Sequence, residues 1–475
     1  MSRMQFCRFG RPRGLLRDIF WFGLFLNVVV AQHCFSQAGS LDAGFVPAIE
    51  AGADVYAVSL QPDGKVLVGG SFVATGSIRV TNLARLNPEG SLDATFNPGT
   101  AADLGYVNSI VVQPDGRIVV GGEFYSSSYL NQGILTRLNT DGTVDSTFDY
   151  NLYIDSAVNA IVLQPDGKIV IGGAFVVVDF ALRRNIARLN PDGTLDYAFD
   201  ACVAASDGSG ATSLALQSDG RIIAAGNFSF STGTTRTGLA RLQDCGDLDP
   251  DYAPEPGVDS TNGVFVVRLR PDDTLLFGGT FREYHSSPRG GLAQLGMNGT
   301  VDTSFDSING IESGKAVYTA AIAPDGSAII GGNFASYNAA LRFSVARVNS
   351  DGSLDKSYHS GPGADNSVSS LAIQTNGSVI VGGKFTNFDG VPRNGLCRLT
   401  AAPARPRLGI PLRLQDLTVL MTLYGQVGTH YAVEVSTNLM AWQAMTNFTA
   451  IDNNIPVRDR DAVGWDHRFY RARLQ

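Results

Sequence analysis

Aspartate follows Leu or Val at 42, 93, 145, 196, 249, 302 and 355, and arginine precedes Leu or Val at 85, 137, 188, 241, 347 and 398, with Gln294 in the fifth place. A carboxylate and a guanidinium delivered at one spacing can pair through charge-assisted hydrogen bonds, or the carboxylates can ligate metal. An active site is normally built once, whereas a scaffold contact is built once per repeat. The expectation is therefore that these Asp and Arg pair, within or between units. A ring of calcium sites is the sharper alternative, because "NPDGTLD" places Asn190, Asp192 and Asp196 on one turn. That turn lacks the fuller ladder of oxygens that calcium loops supply, so no cofactor is expected.

Motifs for a reaction are missing from the sequence: there is no HExxH, GxSxG, phosphate-binding Walker loop or dinucleotide fingerprint. His285, His359, His430 and His467 each stand alone in sequence and read as solvated or incidental. Cys202, Cys245 and Cys397 are too few for a disulfide framework and have no zinc spacing. Cys397 reads as a buried thiol, and a bridge between Cys202 and Cys245 is open in an oxidising compartment.

A second set of candidate residues lies in the variable loops. Five residues before the repeated Arg stand Arg183, Arg236, Arg342 and Arg393; Arg289 has the matching place in unit five, and Arg79 lies one residue off in unit one. In units five to seven an aromatic sits five residues earlier still, at Tyr284, Tyr337 and Phe388. The pairs Tyr284 with Arg289, Tyr337 with Arg342 and Phe388 with Arg393 are the ligand-binding candidates. Rings that stack and guanidinium groups that make bidentate contacts suit a glycan or an anion. The bland reading is that the aromatics close each unit and the Arg pair with loop Asp.

The elements that must position these residues follow from a period. "LQPDGKVLVGGSF" begins at Leu60, and variants recur at Gln113, Gln164, Gln217, Arg270, Ala323 and Gln374. Each unit reads as two hairpins. "VYAVSL" meets the turn Pro62-Asp63-Gly64 and returns as "KVLVGGSF"; "LARLN" meets Pro88-Glu89-Gly90 and returns as "SLDATF". Four short strands per unit, with almost no helical periodicity, are the composition of a propeller blade. Glycine pairs such as Gly69-Gly70 let backbones approach where blades converge. Leu41-Asp42 stands alone before unit one, and unit seven stops at "CRLT" without an "LD" strand. The expected fold is all-β: a seven-bladed β-propeller over 39–400, closed by the strand around Leu41 to Phe45, plus a small C-terminal β module.

The paired motifs "QPDGKVLVGGSF" and "ARLNPEGSLDATF" resemble delta-60 repeats over about Ser40 to Thr400. The resemblance implies a propeller-forming scaffold of bacterial exported and surface proteins, and supplies no catalytic residues. Unit five departs most, with "RPDDTLLFGGTF" and "QLGMNGTVDTSF". Kelch repeats share the strand before Gly-Gly, but their Tyr and Trp signature is absent.

The flanks differ from the array. In 1–38, Arg3, Arg8, Arg11, Arg13 and Arg17 precede the apolar run 19–31, and "SQA" ends at Ala38, the layout of a secretory signal peptide. The run is shorter than the roughly 20 residues a spanning helix needs, so no membrane span is expected after its removal. The remainder holds 31 basic and 43 acidic residues, a poor match for nucleic acid. In 401–475, a linker "AAPARPRLGIP" leads to strands in "LTVLMTLYG", "HYAVEVST", "AWQAMTNFTA" and "HRFYRARLQ", read as a sandwich-like attachment or sorting module. The expected function is an exported, non-enzymatic, monomeric scaffold that binds a surface glycan or protein. The alternative is a secreted polysaccharide lyase or hydrolase with its site in the central channel or on the loop face, which a residue set breaking the sevenfold repetition at the channel mouth would favour; unit five departs most, and its departures replace charge with neutral groups, which favours binding.

Overall fold

A computed structural model describes residues 38–76, 78–99, 105–124, 132–149, 152–201, 210–231, 235–252, 258, 263–305, 307, 309–359, 361–401, 407–408, 411–424, 430–449, 454–464 and 468–474. The leader, Cys202 and His467 lie outside the described residues. No described helix is long and apolar enough to cross a membrane.

The array is an all-β, seven-bladed propeller. Each blade is a three-stranded antiparallel sheet, as in Asp54–Leu60, Val66–Thr75 and Arg79–Leu86, the first strand innermost. The inner strands pack side by side in chain order, and that of blade 7, Val368–Ile373, packs against that of blade 1. The glycine pairs make this approach: a Cβ on Gly69 would lie 2.4 Å from Val107 of the next blade, and one on Gly70 would strike the Asp54 carbonyl oxygen at 2.1 Å. The same relation joins the ends, Gly382 meeting Val55. The apolar cores are correspondingly shared between blades, and Ile380 and Leu396 of blade 7 belong to the cluster around Val55, Val66 and Phe45.

The fourth strands are shorter than expected. Each is a single bridge, Leu86 to Leu92 in blade 1 and Val348 to Leu354 in blade 6. The "LD" aspartate is the reason. Asp93 Oδ1 accepts from the Thr95 N–H at 3.0 Å, and Asp145, Asp196, Asp249, Asp302 and Asp355 repeat the bond two residues on. This local turn competes with the ladder and ends the strand.

The expected Asp–Arg pairing is present and lies mostly within blades. Arg Nε donates to Asp Oδ2 at 2.7 Å for Arg85–Asp93 and Arg137–Asp145, 2.8 Å for Arg188–Asp196 and 2.9 Å for Arg241–Asp249. These partners are buried. In blade 7 the chain has no "LD" segment of its own, and Arg398 takes Asp42 at 2.8 Å, while Leu41 bridges Leu399 and the Arg398 guanidinium lies over the Phe45 ring. The strand around Leu41 to Phe45 thus completes the last blade.

Residues 407–474 form two sheets. Val419–Tyr424 pairs with Asn454–Asp459, and His430–Ser436 pairs with Gln443–Thr449 and Phe469–Leu474. Met421, Leu423, Tyr431, Val433 and Val457 make their shared core. The strand Asn454–Asp459 was not expected; its alternation is broken by Pro456.

Two outcomes follow. Phe45→Ala should cost about 3–5 kcal/mol, the scale for a fully buried ring, read as a lowered unfolding midpoint in denaturant. Burial, the largest effect on Asp145, raises its pKa, but the Thr147 hydroxyl and N–H and Arg137 together bring it down to about 2. The stability contributed by such a depressed carboxylate is fully present above the ordinary pKa of about 3.9 and is lost as pH falls toward 2. Acid titration of the folded protein should therefore show stability falling over that window, with a shallower fall in Asp145→Asn.

Candidate functional site

The loop candidates are not brought together as a binding patch. Tyr284, Tyr337 and Phe388 are 1%, 0% and 0% exposed, so their faces are not open to a ligand. Each sits on a two-residue ribbon and bridges the incoming chain, at Val258, Ile311 and Ala364. The rings plug their blades: Tyr284 packs on Phe277, Phe388 on Phe385, and the Tyr337 hydroxyl donates to the Gly352 carbonyl. Arg183, Arg289 and Arg342 are buried as well and fold back on their own chain, Nη1 donating to the carbonyls of Leu182, Pro288 and Leu341. Arg393 is half-buried and makes the same bond to Pro392. Arg79 is exposed. The expectation of stacking aromatics is corrected: in these tight ribbons the ring alternates inward, and the exposed residues are instead Phe180, Leu182, Leu341 and Val391.

The carboxylates of the calcium alternative have other partners. Asp192 is engaged by Thr194, Asp196 by Arg188 and Lys168, and Asn190 by Thr194. No group of three or more His, Cys, Asp or Glu is arranged to hold a metal among the described residues. His359 is not incidental: it is buried, with Nε2 3.0 Å from Asp389 Oδ1. Cys397 is a buried thiol whose pKa burial raises well above the ordinary value, and Cys245 is free and exposed.

The seven inner strands offer a different set. One aligned position along them is half-buried in every blade: Ser59, Val111, Val162, Ala215, Arg268, Ala321 and Ala372. Six are small or aliphatic and carry no titratable group. Arg268 is the exception. Its Nη1 donates to the adjacent Val267 carbonyl at 2.8 Å, and among the described residues no carboxylate pairs with it. Burial alone lowers its pKa, whereas Arg270 two residues on has Asp272 and Asp302 to offset the same effect. A cation that is stripped of water and left without a counter-charge is costly in an apolar surrounding.

A second half-buried position lies three residues earlier in each strand: Tyr56, Asn108, Asn159, Thr212, Phe265, Tyr318 and Ser369. Asn108 Nδ2 donates to Asn159 Oδ1 at 3.2 Å, the Thr212 hydroxyl donates to the Val264 carbonyl at 3.0 Å, and Phe265 meets Tyr318 edge to face at 5.3 Å. Amide, hydroxyl and ring edge on one circumference supply polar and stacking contacts beside a single positive charge. The signal for Arg268 was in the sequence, as one Arg in an otherwise uncharged aligned position, but "RLRPDD" reads as a turn approach until the strand register is known.

Arg268→Val should leave the thermal midpoint unmoved or raise it, since the residue supports no ion pair. Arg241→Ala should lower stability by about 3 kcal/mol, the low end for breaking a buried pair, because buried Asp249 is left, among the described residues, with only the exposed Arg221, whose Nε lies 3.4 Å away. Thermal and denaturant unfolding of the two variants side by side checks both signs.

A protein-family model described as "Domain of unknown function (DUF5122) beta-propeller" matches residues 61–96, 113–148, 164–199, 217–252, 270–305, 323–358 and 374–402. No curated protein matches the chain. Among solved structures, the chain is similar to a gluconolactonase from Xanthomonas campestris at 15% identity, over 76% of this chain and 98% of that one, with a TM-score of 0.35. It is similar to a protein of unknown function from Bacteroides caccae at 14% identity, over 53% and 81% of the chains, with a TM-score of 0.31. Likenesses at this level carry no functional argument.

Proposed function

The chain belongs to the DUF5122 β-propeller family, and from that premise we propose that it is an exported binding scaffold of the delta-60 repeat kind that holds an anionic glycan through its axial channel. The observation that carries this reading is Arg268, a half-buried cation that no carboxylate pairs with among the described residues, at a strand position that is otherwise uncharged in the array. A ligand carboxylate would supply the missing counter-charge, through the planar fork of the guanidinium. The Tyr56, Phe265 and Tyr318 rings and the Asn108, Asn159 and Thr212 polar groups suit the faces and hydroxyls of a sugar. The acidic balance of the chain works against a polyanion elsewhere on the surface, so the reading concentrates attraction at one place. Export is supported by the basic, apolar and small-residue succession of 1–38, and the two-sheet unit at 407–474 is assigned an attachment or display role.

The test is calorimetry of the mature protein with galacturonate oligomers and with their methyl-esterified, neutral counterparts. The acid oligomers should bind, more weakly at higher salt, and Arg268→Gln should lose about tenfold or more in affinity, the scale of one charged hydrogen bond. Equal binding by Arg268→Gln, or no binding of the acid form by the native protein, would overturn the reading.

A further inference from the structure

The five intact junctions of the propeller show what the space between neighbouring blades is built to hold. At the turn end, the repeated Arg of one blade reaches across to a turn carbonyl of the next. Arg85 Nη1 donates to Thr140 at 2.5 Å, Arg137 to Pro191 at 2.6 Å, Arg188 to Asp244 at 2.6 Å and Arg241 to Met297 at 2.7 Å; Arg398 closes the ring on Pro88 at 2.5 Å. The equivalent carbonyl for blade 5 is that of Ser350, on the matching turn of blade 6. The residue that should reach it is Gln294, which is too short. Its amide instead stays at home, Nε2 donating to Asp302 Oδ2 and Oε1 accepting from Arg270 Nε, both at 2.9 Å.

Blade 5 has thus exchanged the two partners seen in blade 4, where Arg241 reaches the Gln217 side chain. Glutamine occupies the arginine position and Arg270 the glutamine position. The exchange keeps a guanidinium near Asp302 but withdraws it from the junction. What remains is a cavity of about 370 Å³ lined by Arg270, Asp272, Thr274, Gln294, Gly326 and Ser350. That volume falls within the roughly 300–1,000 Å³ of small-molecule sites and far exceeds a single water. Arg270 is 8% exposed, and its Nη2 is buried with no hydrogen-bond partner among the described residues. Its Nη1 is taken by the Gly326 carbonyl.

We propose that this junction between blades 5 and 6 is a binding site for a neutral sugar unit. The groups that line it are of opposite kinds: Arg270 Nη2 offers a proton and has no partner among the described residues, while the Ser350 carbonyl, which Gln294 does not reach, and Asp272, whose Oδ1 already accepts from Thr274, can accept one. A hydroxyl both accepts and donates, and vicinal hydroxyls satisfy both sides at once. Charge decides against an anion. Asp272 and Asp302 both act on Arg270, so two carboxylates face one guanidinium and a further negative group is repelled. The site lies at the turn end, away from the loop ribbons, and stands whether or not the channel holds an acidic ligand.

Two substitutions close the cavity from different sides. Gln294→Arg restores the residue that spans the other junctions, and Ser350→Trp fills the mouth from an exposed turn position. Saturation-transfer NMR with methyl glucoside, methyl galactoside and methyl mannoside at millimolar concentration should show transfer to at least one of them from the native protein. Either closing variant that melts cooperatively should abolish that transfer, while Leu182→Gln, at an exposed loop position, should leave it intact. Silence from all three glycosides with the native protein would overturn the proposal, as would undiminished transfer in a folded closing variant. Transfer to glucuronate alone, lost in Gln294→Arg, would also overturn it by showing an anion site.

Discussion

One guanidinium in each of five blades ties that blade to the next. Arg85 donates to Asp93 on its own fourth segment, lies 4.7 Å over its own Phe96 ring, and reaches the Thr140 carbonyl of the next blade. Arg137, Arg188 and Arg241 repeat all three contacts, over Phe148, Phe199 and Tyr252. Removing water from such a group is expensive unless every N–H finds an acceptor. Because one acceptor belongs to the next blade, a single blade leaves its arginine incomplete. The blade's apolar faces have the same property, since each cluster draws residues from two blades. Electrostatics and packing therefore impose one condition, that no blade is satisfied alone, and the ring is the arrangement that meets it without an exposed edge.

The two junctions where the clamp is altered follow from that condition in different ways. At blade 7 the second turn of the repeat is interrupted, because its fourth segment comes from the N-terminal residues 38–45 and is held by bonds such as Thr400 N–H to the Ser40 carbonyl. Arg347 of blade 6 consequently has no intact turn ahead of it. It swings to Asp325 at 2.6 Å, and its own Asp355 loosens to 3.7 Å. That departure is a consequence of where the chain is cut. Blade 5 has no such cause: the turn ahead of Gln294 is complete and its Ser350 carbonyl is in place. Its departures, Arg268 in the channel and the Arg270 and Gln294 exchange, come from side-chain identity alone.

What could be read from the sequence is what repetition amplifies. The PDG turns, the glycine pairs, the Asp and Arg pairing and the strand borrowed from Leu41 to Phe45 each recur or complete a recurrence, so seven noisy copies give one clear statement. The stacking residues were misjudged because Tyr284, Tyr337 and Phe388 lie on ribbons of two residues. A run that short has no alternation from which to tell inward from outward. The fourth segment was overextended for a related reason: "SLDATF" has strand composition, but the Asp side chain captures the N–H two residues on and turns the chain. His359 was passed over because its partner Asp389 is 30 residues away in sequence. In unit five the guanidinium lies at position 270 while Gln294 takes the arginine position, an exchange rather than a loss of charge.

Symmetry also says where a ligand is to be sought. A residue that recurs in six or seven blades, such as Arg188 or Asp196, has its hydrogen bonds consumed by the fold and offers little to a partner. A residue that appears in one blade has no repeated contact to serve. Among the described residues no carboxylate pairs with Arg268, and Arg270 Nη2 is a buried N–H without an acceptor. The other blades avoid the charge at 268 with small or aliphatic side chains, whereas the position of 270 leaves a buried glutamine Oε1 without a partner among the described residues at Gln61, Gln113, Gln164 and Gln374, so what is peculiar to blade 5 there is a donor in place of an acceptor. The fold does not need either arrangement, as six other blades show, so the unmet groups themselves define the chemistry of what would meet them: a carboxylate in the channel, and a hydroxyl between blades 5 and 6.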